Sequence, residues 1–247
     1  MAVEVFIIIQ VEGNIIKVLI LLKSMNDKPK EITLNFIKDI QTRSKRIADF
    51  LGYKIIVNKN VFPVDSPFSF SSEMTAKRIP KNSGVVLDVG TGTGVQAIVA
   101  AKRGARKVLA IDIDDNSLMN TKENVKFYNL EKVVDVRKSD LFNKIKKNEK
   151  FDLIISQLPF ADVKYESRVS HFLFDPDFRL HEKFLEDARN HLTREGKIFI
   201  SSGDVANEKK LIELIKKFNY VILKAEEEIF EGLKWKLYTL KPSNNLS

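Results

Sequence analysis

The stretch Leu87-Asp88-Val89-Gly90-Thr91-Gly92-Thr93-Gly94 puts an acid near the end of an apolar run and three alternating glycines after it. Val95, Ile98 and Val99 follow at helical spacing. A strand, a tight turn and a helix start in that order let backbone N–H groups approach a ligand closely. Glycine admits the left-handed conformations such a turn needs, and the first N–H groups of a helix are unpaired. Taken alone, the turn suits NAD, FAD or S-adenosylmethionine.

Downstream acids narrow that choice. Asp112 ends the next apolar run about twenty residues after the glycines, where a carboxylate can accept from both ribose hydroxyls of an adenosine. Asp140-Leu141-Phe142 follows the third strand pattern; an acid there can accept from the adenine amino group while apolar neighbours pack on the ring. Asp114 and Asp115 read as solvated or as caps of the next helix, and Asp152 as structural. Asp88 discriminates best. A carboxylate beside a pyrophosphate would be repelled, whereas it suits a cofactor without phosphate and with a cationic sulfonium or amino end. The constellation points to S-adenosylmethionine.

These residues need a scaffold of alternating strands and helices. Strand patterns lie at Val85–Val89, 107–111, 133–137, 153–156 and 197–202, with helical patterns at 116–128, 177–192 and 208–218. Gly104 and Gly196 sit where left-handed helix ends are expected. Alternation of this kind predicts an α/β fold, a mostly parallel sheet covered on both faces. Runs 220–229 and 233–240 around Phe230-Glu231-Gly232 predict a closing antiparallel hairpin instead of another crossover. Ahead of the glycine turn, residues 1–61 read as a small α+β module. It holds runs 3–11 and 15–22 around Glu12-Gly13-Asn14, a helical pattern through Ile37, Ile40, Ile47, Phe50 and Leu51 ending near Gly52, and a strand at Tyr53–Val57. A Ser-, Pro- and Phe-rich loop from Phe62 to Glu73 marks the boundary with a second domain, 62–247.

The motifs Leu87–Gly94, Asp112, Asp140-Leu141-Phe142 and Phe151-Asp152-Leu153-Ile154-Ile155-Ser156-Gln157-Leu158-Pro159-Phe160 resemble, in order and spacing, those of class I S-adenosylmethionine-dependent methyltransferases. Within that class the chain looks most like the small-domain group, which includes release-factor glutamine and ribosomal RNA N-methyltransferases. The resemblance spans roughly residues 62–245. It implies a Rossmann-like seven-stranded sheet with an antiparallel last strand. It also implies a cofactor set of Asp88, Gly90, Thr91, Gly92, Gly94, Asp112, Ile113, Asp140, Leu141 and Ser72, and catalytic positions Gln157, Pro159 and Phe160. The related motif reads Asn/Asp-Pro-Pro-Tyr/Phe. Its amide or carboxylate holds the target NH₂, and its aromatic ring stacks on the substrate. Here Gln157 keeps the amide and adds a methylene, while Leu158 replaces the first proline and restores an N–H. The preceding loop lacks the arginine of the glutamine methyltransferases but keeps hydroxyls at Ser71, Ser72 and Thr75, placed to contact the methionine end.

Composition bounds the partners. The net charge of +8 over 247 residues favours a polyanion, so the expected acceptor is RNA before protein. Zero cysteines exclude thiolate metal sites and fit a cytoplasmic protein. No apolar run is long enough for a membrane span, and no metal is expected. His171, Asp175, Asp177 and His181 lack zinc-helix spacing, and Asp175-Pro176 reads more simply as a helix start. The segment 161–174 reads as a substrate wall or lid. Trp235 is expected to pack in the core or at a sheet edge instead of stacking on a base, and Arg43-Ser44-Lys45-Arg46 reads as a solvated face before a phosphate site. Two rival readings remain: a non-catalytic cofactor-binding module for RNA or a protein partner, and an NAD-dependent oxidoreductase, against which Asp88 argues. The oligomeric state is not legible.

Overall fold

The computed structural model describes residues 5–11, 14–20, 40, 42–161, 172–204 and 206–243. Two antiparallel hairpins come first, β1 (Val5–Val11) with β2 (Asn14–Ile20), and β3 (Arg46–Phe50) with β4 (Tyr53–Val57). Then follow α1 (Phe70–Arg78), β5 (Val85–Val89), α2 (Val95–Lys102), β6 (Lys107–Asp112), α3 (Asp115–Phe127), β7 (Val134–Lys138) and β8 (Phe151–Ser156). The chain closes with α4 (Arg179–Ala188), β9 (Leu192–Gly203), α5 (Glu208–Lys217), β10 (Tyr220–Phe230) and β11 (Leu233–Pro242).

Seven of these strands form one sheet in the order β10-β11-β9-β8-β5-β6-β7. Pairings from β7 across to β9 are parallel, and β11 lies antiparallel between β9 and β10. This is the expected α/β sheet with an antiparallel last strand. Residues alternate between its faces. Val86, Val108, Ala110, Leu153, Ile155 and Phe199 pack with Met74 of α1 and with Ala97 and Ile98 of α2. Leu87, Leu109, Ile111, Ile154, Ile198 and Ile200 pack with Phe184 and Leu185 of α4 and with Leu211, Leu214 and Ile215 of α5. Burial on both faces is why the central strands read as unbroken apolar runs. β5 has β6 on one side and β8 on the other. The chain therefore leaves β5 and β8 in opposite directions, and a crevice opens at their carboxyl ends. Among the described residues, no helix is long and apolar enough to cross a membrane.

Four local expectations are corrected. The helical pattern does not run to Leu51. Residues 40 and 42 are helical, Ile37 lies outside the described residues, and Arg46–Phe50 is a strand. Ile47, Phe50 and Leu51 fit helical spacing, but Ala48 and Phe50 are buried while Ile47 is 62% exposed, a period of two. Leu51 (φ 50°) and Gly52 (φ 82°) make the two-residue turn of a hairpin. Its β4 strand is held on α3, where Ile56 N donates to Asn124 Oδ1 at 2.8 Å and Ile56 O accepts from Asn120 and Asn124.

The loop at 62–73 is also more ordered than expected. A single 3₁₀ turn, Pro67–Ser69, leads straight into α1, which buries Phe70, Met74 and Ala76. Gly104 does end a helix left-handed (φ 89°), but Gly196 lies inside β9, where an added Cβ would stand 2.7 Å from the Phe151 carbonyl oxygen. The helix expected over 177–192 is α4 alone, flanked by 3₁₀ turns. Asp175 caps it through Leu180 N (2.9 Å) and His181 N (3.1 Å), leaving Asp177 and Phe178 left-handed at its entry.

Gly196→Ala is expected to destabilise the protein by about 1–3 kcal/mol through overpacking. Urea unfolding of the variant checks this, and an unchanged midpoint would remove the close approach as the reason for glycine.

Candidate active site

The glycine turn lies at the end of β5, with Gly90, Gly92 and Gly94 all left-handed (φ 71°, 55° and 82°). Gly90 N and Thr91 N both donate to Ile111 O at 3.0 Å, which ties the turn to β6. A Cβ at Gly90 would stand 3.3 Å from Gln157 O, so β8 and the turn meet there; at Gly92 nothing among the described residues lies within 4 Å. Gly94 starts α2 with its back to Thr121, 2.8 Å from where a Cβ would stand. Asp88 is fully buried beneath the turn. Its Oδ2 accepts from Thr91 Oγ1 (2.7 Å) and Ala97 N (3.2 Å), while Oδ1 has no partner among the described residues. Burial pushes its carboxyl up to about 7.

A cavity of about 280 Å³ opens above the turn. At one end stand Asp112, Ile113, Ser139, Asp140 and Leu141. Asp112 accepts from Gly92 N and Asp114 N, both at 3.0 Å, and burial raises its pKa. Asp140 is partly exposed, 3.6 Å from Lys183, and Leu141 is left-handed (φ 46°). At the other end are Phe62, Phe68, Phe160, Phe172 and Leu173, with Gln157, Leu158 and Pro159 between. Phe160 meets Trp235 edge-on at 6.2 Å, and Trp235 is buried, as expected. Gln157 reaches α1, where its Oε1 accepts from Ser72 Oγ (3.1 Å) and its Nε2 donates to Thr75 Oγ1 (3.0 Å). The charged side chains lining the cavity, among the described residues, are Asp112 and Asp140, both acidic.

Thus Ser72, Gly90, Thr91, Gly92, Asp112, Ile113, Asp140, Leu141, Gln157, Pro159 and Phe160 all line one cavity, and Asp88 and Gly94 brace it from behind. Sequence reasoning missed Gln96, which lines the cavity and donates from Nε2 to Ser72 O (2.8 Å) while its buried Oε1 has no partner among the described residues. The signal was available: Gln96 interrupts the apolar run Val95-Gln96-Ala97-Ile98-Val99. It also missed Phe62 and Phe68 as cavity-lining aromatics, whereas Phe172, beside them in the lining, falls in the segment 161–174 expected as a wall or lid. Asp114 caps α3 through Ser117 N (2.7 Å), and Asp152 takes Val85 N (2.8 Å) and Thr193 Oγ1 (2.9 Å). Asp175 is spent on α4 and on His181 Nδ1 at 2.7 Å. His171 and most of the expected lid lie outside the described residues. Among the described residues, no cluster of three His, Asp or Glu side chains could hold a metal. The basic run at 43–46 is ion-paired, Arg43 and Arg46 with Asp65 and Lys45 with Glu123.

The methyltransferase small domain family matches residues 52–234, and the chain belongs to it. A ribosomal protein L11 methyltransferase of Lactobacillus johnsonii is 36% identical over 149 residues, 60% of this chain and 41% of that protein. A Methanocaldococcus jannaschii protein named for protein N5-glutamine methylation is 29% identical over 71% of this chain and 89% of its own length. The structure of SMU.776 complexed with SAH shares the fold, with a TM-score of 0.63 at 15% identity, over 81% of this chain and 56% of that one. The chain therefore spans less than half of the L11 methyltransferase it matches.

The buried acid makes a pH prediction. Its folded value of about 7 lies above the ordinary 3.8, so the native state holds this proton more tightly than the unfolded chain. The Asp88 contribution is most favourable below about pH 4 and is lost as pH rises towards about 7. Thermal unfolding at several pH values is expected to show a steeper loss for the natural protein than for Asp88→Asn between about pH 5 and 7. Parallel curves would count against a raised Asp88.

Proposed function

We propose that the chain is an S-adenosylmethionine-dependent methyltransferase acting on a nitrogen of a macromolecule, with RNA as the acceptor. One observation carries the reading. The glycine turn and the Gln157–Phe160 strand end share a single cavity that is acidic at one end and aromatic at the other.

The residues present fit the cofactor. The charged side chains lining the cavity, among the described residues, are two carboxylates, which would repel the pyrophosphate of a dinucleotide. Two buried acceptors, Gln96 Oε1 on the cavity wall and Asp88 Oδ1 behind it, lack donors among the described residues. Unpaired acceptors in low dielectric favour a cationic, donor-rich ligand end such as an ammonium. In this reading Asp112, with Ile113 beside it, takes the ribose hydroxyls. Asp140 and Leu141 hold the adenine. Gly90, Thr91 and Gly92 present backbone, Gly94 sets the helix start, and Ser72 stands at the methionine end. When bound, S-adenosylmethionine supplies a methyl group on a cationic sulfur, and the electrons of the broken bond leave with the neutral thioether.

The chain's own part is positioning, which dominates an in-line transfer. Gln157 holds the nitrogen, and Phe160, braced by Trp235, offers its ring to the acceptor group. Pro159 stiffens the link between them. The nitrogen gives its proton to water after transfer, so no side-chain base is required. The net charge of +8 supports RNA, and residues 1–61 are proposed as a recognition module in a cytoplasmic enzyme. A protein acceptor is the second reading, supported by the names of the L11 and N5-glutamine relatives.

Calorimetry is expected to show S-adenosylhomocysteine binding, and labelled S-adenosylmethionine to pass its methyl group to the RNA fraction of a cell extract. Phe160→Ala should lower transfer by about 100-fold while leaving cofactor affinity nearly unchanged. Label in the protein fraction would select the second reading. Binding without transfer would select a non-catalytic module, and absence of binding would sink both.

A further inference from the structure

Gln157 stands where the related motif carries Asn or Asp, and its side chain reaches across to α1. Thr75 is fully buried, and its hydroxyl hydrogen goes to Ser71 O at 2.9 Å. Its oxygen can then only accept, which demands the nitrogen of the Gln157 amide on that side, at 3.0 Å. The amide oxygen is left facing Ser72, whose hydroxyl donates to it at 3.1 Å. Ser72 lines the cavity and Thr75 does not. The amide therefore stands with its nitrogen turned to the buried side and its oxygen on the cavity side. Flipping it would take the Thr75 hydrogen from Ser71 and turn two N–H donors towards the acceptor. Ser72 is itself fixed, because its carbonyl accepts from Gln96 Nε2 at 2.8 Å.

We propose that Thr75 and Ser72 are positioning residues that lock the Gln157 amide with its oxygen towards the acceptor, so that the site takes a nitrogen bearing a hydrogen to donate. This rests on the methyl-transfer reading above. The lock also accounts for the departures of the motif. Leu158 surrenders the rigidity of the first proline and instead buries its side chain in the core on the α4–α5 side. The extra methylene of Gln157 restores rigidity by letting the amide reach α1. An asparagine at 157 would be one methylene too short to reach both hydroxyls. Reverting to the residue of the related motif should therefore harm this enzyme.

The test uses the full chain and two readouts. In nitrogen-15 spectra, one Gln157 carboxamide hydrogen is expected to exchange slowly with solvent, to lose that protection in Thr75→Val, and to keep it in Thr75→Ser. With labelled S-adenosylmethionine and whichever extract fraction the natural protein labels, Thr75→Val is expected to lower kcat about tenfold. Thr75→Ser should restore it, and S-adenosylhomocysteine affinity by calorimetry should not move. Gln157→Asn should lose about as much as Thr75→Val, and the double variant little more, because both break one unit. Unchanged amide exchange and kcat in Thr75→Val, or an undiminished Gln157→Asn, would overturn the lock. If the natural protein transfers no methyl group while the amide still depends on Thr75, the methyl-transfer reading fails alone.

Discussion

The buried Asp88 carboxylate joins three parts that would otherwise be independent. It sits at the end of β5 and accepts from Thr91 in the turn and from Ala97 in the first turn of α2. A helix N-terminus offers unpaired N–H groups and positive potential, which an acid at close range satisfies. The cost is a desolvated carboxyl with one oxygen unpaired, visible as a pKa near neutrality. The turn with its three left-handed glycines is tied at its start to Ile111 O and Asp88, and just beyond its end Ala97 N donates to the same Asp88 oxygen. The floor of the cavity follows from that arrangement.

Above this floor the cavity is polarised by the topology of the sheet. β6 and β7 lie on one side of β5 and end in Asp112 and, just beyond β7, Asp140. β8 lies on the other side and ends at Gln157. The acidic end and the aromatic end are thus set by which strand neighbours which. Gly90 and the Gln157 carbonyl meet closely, since a Cβ at 90 would stand 3.3 Å from that oxygen. The C-terminal hairpin contributes at a distance: Trp235 on β11 backs Phe160 and also touches Phe68 at 6.0 Å. Three segments far apart in the chain therefore shape one aromatic wall.

Much of the fold was legible in the sequence because fully buried parallel strands leave long apolar runs and their turns need glycine. The elements that went astray are those whose pattern is short or double-valued. Ile47, Phe50 and Leu51 satisfy a helix, and Ala48 and Phe50 satisfy a strand; pairing with β4 and docking on α3 decided between them. Gly196 looked like a helix end, but its smallness serves the close approach of the Phe151 carbonyl. The serines and phenylalanines at 66–72 looked like a linker, yet Phe68, Phe70 and Met74 carry them into the core. Gln96 stands out in the sequence as a lone polar residue in an apolar helix, but its partner, the Ser72 carbonyl, is set only by the packing of the first two helices.

Residue order alone carried the motifs of the family: an acid, three glycines and two further acids at strand ends are local features, set within each strand-turn unit. It also determined the sheet, since alternating runs admit few packings. Tertiary structure alone decided what holds the Gln157 amide. Its partners Ser72 and Thr75 lie more than eighty residues away along the chain. A hydrogen-bond pattern that orients an amide depends on where hydroxyls stand in space, and no spacing in the sequence encodes that.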